Sequence, residues 1–358
     1  MENTLTSLKN KWVKMDNENR RKLLIVVGIV AIVITILSFL KTEQQIPLPE
    51  QQETIVNEVV DVMEQPEGRV YVADTYNHRV QVFELNGTFL ASFGEYGRNE
   101  ENLRMPTEAL RKENEIYVLD KGNNKIKVFS TNYSLLRSFG EGLQFPLGFD
   151  VQEDKIYVTN TYRSRIDVFS REGKKLFSFG SKGKGNGQFK YASDIAVDDK
   201  YVYVVDTDNN RVELFTHNGT FIAGWGKFGP FMQKESGVRF PLGIEVYNNI
   251  VYISDTQRSQ VKMYTPDGTL KGSFGTYGSG DEQFRFESKV WEVNGLLYIA
   301  DTKNNRIKAY YPNGTLYTLF GKFGREEGAL RAPGVIRWFG REFLNKTVSR
   351  SNATNTSS

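Results

Sequence analysis

One pattern returns six times along this chain, and a chain made of such copies is bound to a repeat architecture. The copies read VYVADTYNHRVQVF from Val70, IYVLDKGNNKIKVF from Ile116, IYVTNTYRSRIDVF from Ile156, VYVVDTDNNRVELF from Val202, VYISDTQRSQVKMY from Val251 and LYIADTKNNRIKAY from Leu297. An acid or its amide recurs at Asp74, Asp120, Asn160, Asp206, Asp255 and Asp301, with spacings of 46, 40, 46, 49 and 46 residues.

Two further marks follow each copy. The first is a turn, at Asn86-Gly87, Asn132-Tyr133, Glu172-Gly173, Asn218-Gly219, Asp267-Gly268 and Asn313-Gly314. Asn-Gly and Asp-Gly between alternating apolar segments supply the positive φ values of a tight hairpin turn. The second is an aromatic-Gly pair, at Phe93, Phe139, Phe179, Trp225, Phe274 and Phe320. An apolar strand, often opened by Pro, then leads into the next copy. Each unit reads as a four-stranded antiparallel meander, and about 46 residues in four strands is the size of one propeller blade. The expected fold is all-β: a six-bladed β-propeller over residues 55–340.

The core [VIL]Y[VI]xDTxNxR[VI]xxF, the NGT turn, the FG pair and the segments FPLGFDV and FPLGIEV together resemble the NHL repeat family. The resemblance implies the propeller but no ligand. NHL propellers include adhesion-like and sensor ectodomains, RNA-binding domains of cytoplasmic regulators and a catalytic branch, the peptidyl-hydroxyglycine lyases. Fold alone does not choose among these.

Ahead of the repeats, Leu23 to Leu40 is LLIVVGIVAIVITILSFL, eighteen residues without a charge, enough to cross a bilayer as a helix. Arg20, Arg21 and Lys22 precede it, so the positive-inside tendency predicts a cytoplasmic N-terminus (1–22), a signal-anchor span (23–40) and an exported remainder. No small-x-small cleavage site follows. Residues 41–54 are polar with Pro and read as a stalk, and 341–358 as a polar tail. The expected location is the cell membrane, crossed once, with the propeller extracytoplasmic.

Charge follows the same division. Residues 1–41 hold seven Lys/Arg and three Asp/Glu, leaving 39 basic and 40 acidic groups for the rest. A near-neutral, exported propeller argues against a nucleic-acid partner. The chain has no Cys, which removes disulfides and thiolate chemistry, and only His78 and His217, which removes a three-His metal site in one protomer. Seven Asn-x-Ser/Thr sequons, at Asn86, Asn132, Asn218, Asn313, Asn345, Asn352 and Asn355, are candidate glycosylation sites. Four coincide with hairpin turns that want Asn for backbone reasons, whereas three cluster in the tail.

Candidate chemistry falls in three groups. The repeated acid and the cation five residues later, such as Asp74 with Arg79 or Asp206 with Arg211, read as a structural device, since six equivalent copies do not make a catalytic constellation. Asn160 and Gln260 depart from that pair and imply lost bonds in blades three and five, or a local binding surface. Arg104, Lys190, Arg239, Arg285 and Arg331, with Gln144 in the remaining blade, stand just before the innermost strands. They are the candidate ligand-binding residues, a cationic ring at the mouth of the axial channel. The alternative is that each stacks on the next aromatic, such as Phe240 or Phe286, and pairs with an acid of the neighbouring loop.

Lastly, Asp150, Asp194, Glu245 and Glu292 lie near the innermost strands. Lactonase-like propellers bind a metal through such residues, so calcium or zinc is an alternative cofactor; strand alternation equally makes them interblade partners. No nucleophile-elbow, Walker A or dinucleotide fingerprint is present in the required context. The leading expectation is a membrane-anchored, non-enzymatic binding or scaffold module for a surface polymer, glycan or envelope protein. The alternative is an exported hydrolase or lyase with a metal in its channel. Two segments compete to complete the first blade, VVDV at Val59–Val62 and GVIRWF at Gly334–Phe339, the latter closing the ring as a latch.

Overall fold

Every repeat folds as its pattern dictates. The copy quoted above supplies the two middle strands of a blade, for example Glu115–Asp120 and Lys125–Ser130 in blade two. Alternation buries one row of Val, Ile and Tyr on each face of these strands, and the residues on both rows are nearly all inaccessible. A computed structural model describes residues 68–226 and 236–334.

Five four-stranded antiparallel sheets and one three-stranded sheet result, the blades of a six-bladed propeller. The innermost strands are Glu108–Lys112, Pro146–Gln152, Ala192–Val197, Pro241–Tyr247 and Glu287–Val293, in blades two to six. Blade one has only Arg69–Asp74, Arg79–Glu84 and Phe89–Phe93 among the described residues.

The hydrophobic core is a set of layers between neighbouring blades. Tyr71, Val80 and Val82 of blade one pack with Ile116, Val118 and Phe129 of blade two. Val70, Val72 and Phe83 pack on the other side with Tyr298, Ile307 and Phe320 of blade six. The ring is closed by burial between its first and last blades.

The turn and the aromatic-Gly pair are two halves of one contact. A Cβ on Gly87 would lie 2.5 Å from the ring of Phe320, and one on Gly219 2.6 Å from that of Phe179. The aromatic of each blade thus seats on the turn glycine of the next, where φ is positive and a side chain would collide. Tyr133 replaces the glycine in blade two at φ 67° and instead stacks on Phe93, 4.9 Å between centroids and 9° between planes.

Several expectations concern residues outside those described: the cytoplasmic segment 1–22, the span 23–40, the stalk 41–54, the tail with Asn345, Asn352 and Asn355, Val59–Val62, and everything after Gly334. No helix among the described residues is long and apolar enough to cross a membrane.

Candidate functional site

The repeated acid caps the segment that opens the innermost strand of its own blade. Asp120 Oδ1 accepts the backbone N–H of Arg104 at 2.7 Å, and Asp206, Asp255 and Asp301 do the same for Lys190, Arg239 and Arg285 at 2.9, 2.7 and 2.7 Å. In blade three Asn160 Oδ1 holds Gln144 at 2.9 Å. In blade one Asp74 holds Arg331, 257 positions away, at 2.7 Å. Arg331 is thus held by blade one in the way its counterparts are held by theirs, and the Gly334 N–H donates to Ala73 O at 3.0 Å. The other carboxylate oxygen takes the nearby side chains: Asp74 Oδ2 accepts from Asn77 at 2.8 Å and Arg79 at 2.9 Å.

Bonds in the two divergent blades are rerouted, not lost. Asn160 donates to Asp167, which pairs with Arg165 at 2.8 Å and Lys175 at 2.9 Å. In blade five Asp255 pairs with Arg258 at 2.9 Å and Lys262 at 3.2 Å in place of a partner at Gln260.

The cationic ring stands where the spacing places it, at the starts of the innermost strands, but it does not line an open channel. That end of the axis is filled by Leu147, Tyr191 and Leu242, backed by Phe145, Phe240 and Phe286. The neighbouring acids engage the backbone N–H groups of the ring residues. The cations over Phe145 and Phe286 are Lys121 and Lys303, 5.3 and 5.1 Å from the centroids. The side chains of Arg104, Lys190, Arg285 and Arg331 have no ion pair or hydrogen bond among the described residues. Their charge is felt nearby: Arg104 and Arg331 add to burial in lowering the pKa of His78, and Arg285 adds to burial in lowering that of Lys303.

Below the aromatic plug the axis is ionic. Glu108, Asp194 and Lys289 come from blades two, four and six; Lys289 Nζ lies 2.8 Å from Glu108 and also bonds Asp194. Blades three and five carry Gly148 and Gly243 at the matching positions. A Cβ on Gly148 would stand 2.1 Å from Asp194 Oδ1, and one on Gly243 2.8 Å from Lys289 Cα, so these glycines make room for the charges. Burial raises both carboxyls above their ordinary values and Lys289 only partly offsets it; the two acids in turn hold the Lys289 ammonium above its own.

The sequence singled out Asp150, Asp194, Glu245 and Glu292 without Glu108 and Lys289. The acids on the innermost strands stitch one blade to the next. Glu108 accepts from Phe149 N at 3.0 Å, Asp150 from Val197 N at 2.7 Å, Asp194 from Ile244 N at 3.0 Å and Glu245 from Glu292 N at 3.1 Å. Separate sheets have no ladder between their inner edges, so these carboxylates satisfy N–H groups that a ladder otherwise would. Glu292 instead accepts locally from Gly295 N at 2.5 Å.

Asp150 and Glu245 also border a cavity of about 500 Å³ over the described residues, with Trp291, Arg111 and Lys112 on its wall. None of the ring cations reaches it. Burial raises Asp150 to about 6 and lifts Glu245 well above the ordinary range, with the Asp150 charge adding to the latter. Of the four candidate metal ligands, Asp150, Asp194 and Glu245 engage backbone N–H groups or Lys289 through both carboxylate oxygens, and Glu292 engages Gly295 N through one. Among the described residues no three His, Cys, Asp or Glu converge as a ligand set.

A family model described as an NHL repeat matches residues 63–83, and the described part of that stretch is the pair of strands that carries Asp74 and Arg79. The first repeat is thus similar to the NHL repeat, as its sequence pattern implies. A second model, described as a 6-bladed beta-propeller, matches residues 149–223. No curated protein matches the chain. Among solved structures this propeller is similar to a streptogramin B lyase, with TM-score 0.53 and 14% identity over 75% of this chain and 89% of that one. It is also similar to a catalytically inactive virginiamycin B lyase from Staphylococcus aureus crystallised with quinupristin, with TM-score 0.51 and 15% identity over 70% and 80%. At such identities the likeness is one of fold.

Proposed function

We propose that this protein is a membrane-anchored, extracytoplasmic binding module that holds an anionic surface polymer on the cation-ringed face of its propeller. The observation that carries the reading is the contrast between two sets of cations. Arg79, Lys127, Arg211 and Arg306 are all spent on buried acids. Arg104, Lys190, Arg285 and Arg331 have rigid, capped backbones and unspent charge. Converging cations held on a fixed scaffold raise the local concentration of a polyanion without a specific pocket.

Export rests on the uncharged segment 23–40 and the basic residues ahead of it. The four propeller sequons, at Asn86, Asn132, Asn218 and Asn313, lie at exposed turns on the face opposite the ring, so glycans attached there leave the ring uncovered. A glycan or an envelope protein with a negatively charged surface satisfies the same chemistry. The test is binding of the full-length protein in detergent to polyphosphate and to an acidic polysaccharide. Changing Arg104, Lys190, Arg285 and Arg331 together to Gln is expected to weaken binding at least tenfold and to flatten its salt dependence. Unchanged binding overturns the reading.

A further inference from the structure

The six blades are not equivalent on the ringed face, and blade one departs in a single side chain. Each turn between the two middle strands ends on a residue in the left-handed region: His78, Asn124, Ser164, Asn210, Ser259 and Asn305. Where that residue is Asn, its Oδ1 accepts one backbone N–H: from Phe145 and Phe240 at 2.7 Å, and from Ala332 at 2.9 Å. His78 does the same work with Nδ1, which accepts from Met105 N at 3.0 Å. An N–H donor at Nδ1 fixes the neutral tautomer with its proton on Nε2. Unlike the Asn it replaces, His78 therefore keeps a second, outward donor. Nε2 has no partner among the described residues and is not buried.

The surroundings of that donor are cationic. Met105, which His78 caps, directly follows Arg104. Arg331 lies on the other side, its carbonyl accepting the Tyr76 N–H at 3.2 Å. Both guanidinium charges reach His78 and oppose its protonation, while Asp120 and Asp74 act the other way from beneath, their oxygens committed to the caps. Neither guanidinium has a protein acceptor among the described residues. Tyr96 packs against the imidazole at 4.8 Å between centroids and forms one wall.

We propose that His78, Arg104 and Arg331 form a seat for one tetrahedral oxyanion, a phosphoryl or sulfo group, at the first blade. Two guanidinium forks supply charge and parallel donors, and the neutral Nε2–H supplies a directed third. The proposal rests on the reading that the ringed face binds anions, and it gives that face a particular point of engagement. Because Met105 N–H already occupies Nδ1, a proton placed there sets two donors against each other. Binding therefore uses the neutral ring, and sulfate affinity stays flat between about pH 6.5 and 8, where an imidazolium site tightens as pH falls.

The chain has only two histidines, which makes the test direct. His217 lies on the opposite face with Nε2 on Asp198 O at 2.8 Å and serves as the internal control. With histidine-labelled full-length protein in detergent, sulfate added at constant ionic strength is expected to shift the His78 ring signals saturably and leave those of His217 in place. The pair Arg104→Gln and Arg331→Gln removes that response and raises the His78 pKa. His78→Asn installs the residue found in blades two, four and six, so it keeps the thermal midpoint and weakens sulfate binding about tenfold, the cost of a hydrogen bond to a charged group.

Parallel or unsaturable shifts of both histidines, unchanged sulfate affinity in His78→Asn, or affinity that climbs on acidification each overturn the seat. Polyphosphate and dextran sulfate, compared in the same assay, separate the phosphoryl from the sulfo source. If the fourfold Gln variant loses polymer binding while His78→Asn retains it, the seat is wrong and the face is right. If both retain it, both are wrong.

Discussion

The carboxylate of Asp74 holds the backbone N–H of Arg331 at 2.7 Å, joining the first described strand of the propeller to its last described segment. Five other blades make this contact within themselves, between residues 16 apart. Only here does it span the whole ring.

Asp74→Ala is therefore expected to cost more than its local bonds suggest. It leaves the N–H of Arg331 without its acceptor and takes the carboxylate from the part-buried side chains of Asn77 and Arg79, which keep only carbonyl partners at Gly324, Glu326 and Ala329, a loss of about 3 kcal/mol. Urea denaturation followed by tryptophan fluorescence measures it. A loss under about 1 kcal/mol means that interblade burial alone closes the ring.

The axial triad gives a pH-dependent outcome. Lys289→Met leaves Glu108 and Asp194 buried without their cation, and breaking such a set costs about 3 to 5 kcal/mol at neutral pH. Both carboxyls already lie above their ordinary values, and losing Lys289 raises them further. An acid whose folded pKa is raised is at no disadvantage below its unfolded pKa and loses stability as pH rises through the folded one. The deficit should be largest at pH 8 and shrink toward pH 5. A deficit that grows on acidification contradicts the assignment.

How much of this was legible in the chain differs from the rim to the axis. The turn glycines and the aromatics that seat on them both appear as repeated letters, because each is a side-chain requirement; that they touch follows only once Phe320 is placed beside Gly87. The ring cations were found by position, but the residues that plug their end of the axis are ordinary strand openers such as Leu147 and Leu242. Glu108 and Lys289 escaped because each reads as a polar residue in an alternating strand, and their meeting depends on blades 181 positions apart. Strand alternation marks Asp150, Asp194 and Glu245 as candidate interblade partners, but the backbone N–H groups that they engage leave no mark in sequence.

Glu287 stands where other blades open their innermost strand with Pro146 or Pro241, and both its carboxylate oxygens are buried without a hydrogen-bond partner among the described residues. Burial, with the charges of Asp255 and Asp301, lifts its pKa well above the ordinary range. By the same sign rule the native residue erodes stability as pH rises above about 4.5. Glu287→Gln should raise the thermal midpoint at pH 8 and leave it nearly unchanged at pH 4; a lower midpoint at pH 8 would falsify this account.

The absence of native cysteine makes topology directly measurable. Ser279→Cys places a thiol on an exposed loop of the ringed face. A membrane-impermeant maleimide applied to intact cells should label it fully, and labelling only after lysis would place the propeller inside.

Leu147-Gly148 and Leu242-Gly243 belong to blades three and five, Ser193-Asp194 and Ser288-Lys289 to blades four and six, and Thr107-Glu108 to blade two. Across blades two to six the axis alternates an occupant with a vacancy. Within that run a single blade cannot be excised or duplicated without setting two charges or two vacancies side by side, so insertion or removal there, by recombination or by an engineer, works by pairs of blades.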